Sequence, residues 1–93
     1  MIALVLISYL VPLEEVERHT AGHRAFLALL HERGALIASG PFVPRTGGAL
    51  LMRGDSREAI ERALAGDPFL TEGVARHDVR EWSPTLGRAL FEA

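Results

Sequence analysis

The chain contains no cysteine, lysine, asparagine or glutamine. Without cysteine there is no disulfide framework, no thiolate nucleophile and no cysteine-held zinc, a composition suited to a reducing compartment. All ten basic residues are arginine, and with twelve acidic residues they give a net charge of −2. Both signs are scattered and no run of like charge occurs, which argues against a nucleic-acid partner, since phosphates are met by clustered basic faces. The apolar start, MIALVLISYLV, is too short to span a bilayer and lacks the basic leader of a signal peptide. These features point to a cytoplasmic protein with no membrane partner. A P-loop and a GxSxG elbow are also missing, so nucleotide cofactors and serine hydrolysis have no motif to support them.

What the chain has is apolar surface. Of its 93 residues, 48% are hydrophobic, and the mean hydropathy is +0.16. A domain of this size buries only about 60 to 65% of its unfolded surface. Part of the surplus is therefore expected to meet a second copy.

Residues 2–10 are apolar at odd and even positions alike, as in a strand covered on both faces. Pro12 ends it. The segment LEEVERHTAGHRAFLALLHERG then predicts one helix, acidic in its first turn and stopped by Gly34. Its stripe of Leu13, Val16, Leu27 and Leu30 also carries Thr20 and His23, and Gly22 within it suggests close packing or an irregular turn. ALIASGPFV and GGALLMRG predict two strands joined by a hairpin turn at PRTGG. DSREAIERALAG predicts a second helix, with Asp55 as N-cap, Glu58 three residues on, and Gly66 just past its end.

GVARHDVREW reads as a last strand, with Ala75, His77, Val79 and Glu81 on one face and Val74, Arg76, Asp78, Arg80 and Trp82 on the other. PTLGRALFEA reads as a short helix or arm. The order β-α-β-β-α-β is the ferredoxin-like arrangement of an α+β fold, a four-stranded antiparallel sheet with both helices on one face. Burying the open face against the same face of a second copy uses one self-complementary patch, so a homodimer, or a higher oligomer built from it, is expected.

His23 lies on the apolar stripe of the first helix, so its imidazole is expected to point inward and to need a hydrogen-bond partner. Asp67 supplies one if GDPFLTEG folds back against that helix. Locally, Asp67 and Pro68 also make a good helix start. Ser39 and the backbone at Gly40 offer donors at the end of the second strand, and Pro41 and Phe69 complete the expected substrate contacts. His19 and His23 have the spacing of a two-histidine metal site but no third ligand in an evident position, and no metal or cofactor is expected. His31 is expected in solvent, and His77 faces either the helices or a partner. Arg76, Asp78 and Arg80 are expected as a solvated edge and Trp82 in a core or interface.

The segments HRAFLALLHERGALIASGP and GDPFLTEG and the closing REW resemble the YCII-related proteins of the dimeric α/β barrel superfamily. His23, Gly34, Gly40-Pro41 and Asp67-Pro68-Phe69 carry the resemblance, which spans nearly the whole chain and implies one YCII-related domain over residues 1–93. It further implies sheet-to-sheet pairing and an active-site His-Asp pair, which falls on His23 and Asp67. Some members act as dehydrochlorinases on chlorinated aromatic compounds, muconolactone isomerases are more distant relatives, and most members have no established reaction.

Two functional readings stand side by side. In one, the protein is a cofactor-independent lyase or isomerase in which the His23–Asp67 dyad moves a proton on a small cyclic oxygenated substrate. In the other, it is a non-catalytic binding or structural dimer module, and the pair holds the first helix to the loop after the second.

Overall fold

The computed structural model describes residues 1–92; Ala93, the end of the expected C-terminal helix or arm, lies outside them. Strand β1 (Ile2–Tyr9) is the centre of the molecule, because it is paired on both sides by antiparallel neighbours, β3 (Gly47–Arg53) and β4 (Ala75–Trp82). Strand β2 (Leu36–Pro41) pairs with the outer edge of β3, giving the order β2-β3-β1-β4. A register shift between Leu36 and Ala38 interrupts that outer pairing. The architecture is the expected ferredoxin-like α+β fold.

The apolar run of β1 divides by the period of two that any strand imposes. Ala3, Val5 and Ile7 are buried beneath the helices, whereas Ile2, Leu4 and Leu6 are half-buried on the open face. In register, Val5 stands between Leu50 and Val79, and Ile7 between Gly48 and His77. On the helical side, Leu27, Leu30, Ile60, Leu64 and Phe69 close the core. Full burial of one such side chain contributes about 1.5 to 3 kcal/mol.

The helices depart from the sequence reading in two places, a split in the first and the cap of the second. The long first helix is two helices, α1 (Leu13–Glu17) and α2 (Thr20–Glu32), broken at Arg18 and His19, where His19 leaves helical geometry at φ −114° and ψ 3°. The break leaves Val16 buried in α1 and His23, Leu27 and Leu30 buried in α2. Gly22 lies inside regular α2 instead of at the irregularity, close against the Pro68 ring; a Cβ there would stand 3.4 Å from Cγ of Pro68.

Helix α3 (Arg57–Leu64) is capped by Ser56 and not by Asp55: Ser56 Oγ accepts from the amide of Ala59 at 3.1 Å. Gly66 stands just past the end of that helix, as expected, but without a positive φ, and it serves a packing need, since a Cβ there would meet the Phe26 ring at 3.1 Å. Gly34 does end α2 in the left-handed conformation, at φ 80°. A short helix, α4 (Pro68–Thr71), precedes β4, and residues Arg88–Phe91 form a 3₁₀ turn after it. Among the described residues, no helix is long and apolar enough to cross a membrane.

Candidate functional site

Asp67 does both things that its sequence context allows. As the N-cap of α4 it accepts the amide of Phe69 on Oδ1 at 3.0 Å, with Pro68 in the first turn, where a missing N–H costs no helical bond. The same oxygen meets Nδ1 of His23 at 2.7 Å, because α4 packs against α2. The other oxygen, Oδ2, meets Nε2 of His77 at 3.0 Å. His77 is thus on the helical side of β4, and its ring is the second imidazole bound to one carboxylate.

Asp67 has no exposed surface. Burial raises its pKa, but hydrogen bonds from His23, His77 and the Phe69 amide outweigh that effect and lower it from 3.8 to about 2. The carboxylate is therefore ionised at neutral pH and can only accept, so each imidazole presents an N–H to it. His23 accordingly holds its proton on Nδ1. When the ring is neutral, its Nε2 is a bare lone pair.

The plane of that ring is fixed as well. Phe69 lies parallel to it, with centroids 3.8 Å apart and 5° between planes, and Tyr9 meets Phe69 edge-on at 6.0 Å. Among the described residues, Nε2 of His23 has no hydrogen-bond partner. Among the described residues, the one buried side-chain nitrogen or oxygen without a partner is Nε of Arg53, so Nε2 of His23 keeps contact with solvent.

His23 also lines a cavity of about 190 Å³ between α2, the end of β2 and the start of β3. The expected residues gather there: His23, Ser39, Gly40, Pro41 and Phe69 all line it. Asp67 does not. It stands behind His23 and Phe69, bonded to the imidazole of one and the amide of the other. Gly48 lines the wall because nothing larger fits; a Cβ would lie 2.6 Å from the carbonyl oxygen of Gly40.

A larger cavity, about 520 Å³, lies at the opposite end of β1, bounded by Met1, Arg53, Trp82 and Phe91. None of the buried histidines or Asp67 reaches it. Trp82 is 40% exposed and meets Phe91 edge-on at 5.7 Å. His31 is exposed at the end of α2, as expected, and its Nδ1 also bonds the carbonyl of Leu36 at 2.8 Å.

Two residues of the site had no individual role in the sequence reading. Alternation groups His77 with Ala75 and Val79 on one face of β4 without deciding whether that face meets the helices or a partner, and nothing in the pattern places its ring against Asp67. Arg45, in the loop between β2 and β3, lines the cavity, with Nε donating to the Tyr9 hydroxyl at 3.2 Å and one terminal nitrogen to Thr20 Oγ1 at 3.3 Å. Its position depends on the loop's path, and the period of a strand or helix carries no information about that.

The fold is similar to that of 5-chloro-2-hydroxyhydroquinone dehydrochlorinase from Burkholderia phenoliruptrix AC1100, solved in complex with 2,5-dihydroxybenzoquinone, with a TM-score of 0.79 over 92% of this chain and 97% of that one. The sequences are 22% identical, so the likeness is one of fold. In sequence, the chain is 35% identical over 66 residues to the uncharacterized protein YjpA of Bacillus subtilis (strain 168), covering 71% of this chain and 78% of that protein. The model of the YCII-related domain matches residues 1–83, and the chain belongs to the YCII-related family.

Proposed function

We propose that this protein is a cytoplasmic, homodimeric, cofactor-independent enzyme that transfers a proton on a small cyclic oxygenated substrate, with His23 as the catalytic base and Asp67 as the residue that orients it. The observation that carries the reading is the Nε2 of His23, unpartnered and in contact with solvent on a side chain that lines the cavity, while Nδ1 is committed to an ionised, fully buried carboxylate. A histidine serving packing alone has no need to keep one nitrogen open to a cavity.

Nε2 takes a proton from an acidic C–H or O–H of the substrate. In an elimination, the electron pair released forms a double bond and a leaving group departs with its own bonding pair; in an isomerisation, the double bond shifts and the imidazolium returns the proton elsewhere. The imidazolium formed in between rests against the Asp67 carboxylate and the face of Phe69. Ser39 and the backbone of Gly40 supply polar contacts, Pro41 and Phe69 apolar ones.

The cavity's size supports a single ring, since an apolar cavity of about 150 Å³ is enough for benzene. The dehydrochlorinase of like fold, whose name and bound quinone are both one-ring oxygenated compounds, supports the same class. We further propose that residues 1–93 act as one YCII-related unit and that two copies pair through their open sheet faces, where Ile2, Leu4, Leu6 and Leu51 are half-buried.

The test is a panel of hydroquinones, phenols and lactones, 2,5-dihydroxybenzoquinone among them, followed by NMR of the labelled protein and by turnover. Compounds that shift the resonances of His23 and Phe69 should be turned over, and His23→Ala should lower kcat by about 100-fold or more. Binding at that cavity with turnover untouched in His23→Ala would refute the assignment.

A further inference from the structure

We propose that Arg45 is the anion-binding residue of the His23 cavity, and that the site takes one-ring oxyanions, carboxylates or ionised phenols, in preference to neutral rings. The inference rests on the reading of this cavity as the substrate site.

Arg45 is held where such a group would be needed. Nε is bound to the Tyr9 hydroxyl and one terminal nitrogen to Thr20 Oγ1, whose own proton goes to the carbonyl of Val16. These contacts use two of the five N–H groups of the guanidinium and leave the rest of a planar fork suited to two oxygens of one anion. The remaining neighbour is Glu17, whose carboxylate lies 3.8 Å from the other terminal nitrogen on a side chain 55% exposed. An exposed partner at that distance is screened by water and holds the cation weakly.

The charge of the wall has one sign. Arg24 and Arg45 line the cavity and no carboxylate does; Asp67, behind His23, spends its charge on three N–H donors. Spacing fits as well. Thr20 and His23 are three residues apart on α2, so the group bound to Thr20 and the imidazole are neighbours on one helical face, about 5 to 6 Å apart at Cβ. One ring bridges that interval, its oxyanion on Arg45 and its acidic hydrogen toward Nε2 of His23.

Titration of the intact protein at low salt with benzoate, 4-nitrophenolate and benzamide, followed by NMR, tests this. Both anions should bind at least about tenfold more tightly than neutral benzamide, shifting the Arg45 side-chain and His23 signals. Arg45→Met should weaken the anions by about 10- to 100-fold and change benzamide by less than about threefold, with Arg45→Lys in between. The stronger of the two anions identifies the oxyanion as carboxylate or phenolate. Equal affinity for benzoate and benzamide, or anion binding unchanged in both Arg45 variants, overturns the proposal. If Arg45→Met fails to fold, Arg45→Lys and Thr20→Val read the same loss.

His23→Ala separates this claim from the catalytic one. Retained anion affinity with turnover lost supports both. Retained affinity with turnover also retained removes His23 as the base and leaves the Arg45 assignment standing.

Discussion

Asp67 accepts three hydrogen bonds through its two oxygens, and asparagine at the same place would have one acceptor and a misplaced donor. Asp67→Asn should therefore lower stability by about 1.5 to 3 kcal/mol at neutral pH. The pH dependence follows from a folded-state pKa of about 2 against 3.8. A depressed carboxylate contributes stability that is fully present above the unfolded value and is lost as pH falls through the folded one. About 2 kcal/mol is at stake, and the gap between wild type and Asp67→Asn should narrow by that amount between about pH 4 and 2, measured by urea unfolding. A constant gap would deny the carboxylate its charge. His77→Phe leaves Oδ2 without a donor, so the carboxyl titration of Asp67, followed by ¹³C NMR, should move upward from about 2.

At the scale of elements, capping and close approach decide. Ser56→Ala should cost about 1 kcal/mol by removing the cap of α3, while Asp55→Ala should change stability by less than about 0.5 kcal/mol. The reverse order in thermal melts would return the cap to Asp55. Both residues are good N-caps, and a sequence offers no means to choose between neighbours that are equally suited. The break between α1 and α2 was illegible for a related reason, since no proline or glycine stands at Arg18 or His19 to signal it. By contrast, the pairing of His23 with Asp67 could be read, because a helical stripe turns the histidine inward and the family resemblance names its partner. Gly48→Ala should push β2 away from β3 and cost about 1 to 3 kcal/mol, since its Cβ would lie within 3.3 Å of Pro41 Cα as well as against the Gly40 oxygen.

For the whole molecule, the order of elements and the doubled apolar pattern of β1 were enough to give the ferredoxin-like sheet. The constellation at its heart needed more, because His77 reaches Asp67 only through the β1–β4 register and Arg45 reaches Thr20 only through a loop. Association is the property this scale decides. Leu4 and Leu6 share the open face with Leu51, and the proposed two-fold contact would cover all of them at once. Sedimentation at micromolar concentration should give a dimer, and Leu6→Glu should give monomer; a wild-type monomer would contradict the sheet-to-sheet pairing.

The proposed chemistry turns on one nitrogen, Nε2 of His23, and long-range ¹H–¹⁵N NMR of histidine-labelled protein reads it directly. At a pH where the ring is neutral, His23 should carry its proton on Nδ1 and show an unprotonated Nε2 whose signal moves when a one-ring ligand fills the cavity. A proton found on Nε2 instead, or an Nε2 signal that no ligand displaces, would contradict the role of His23 as the base.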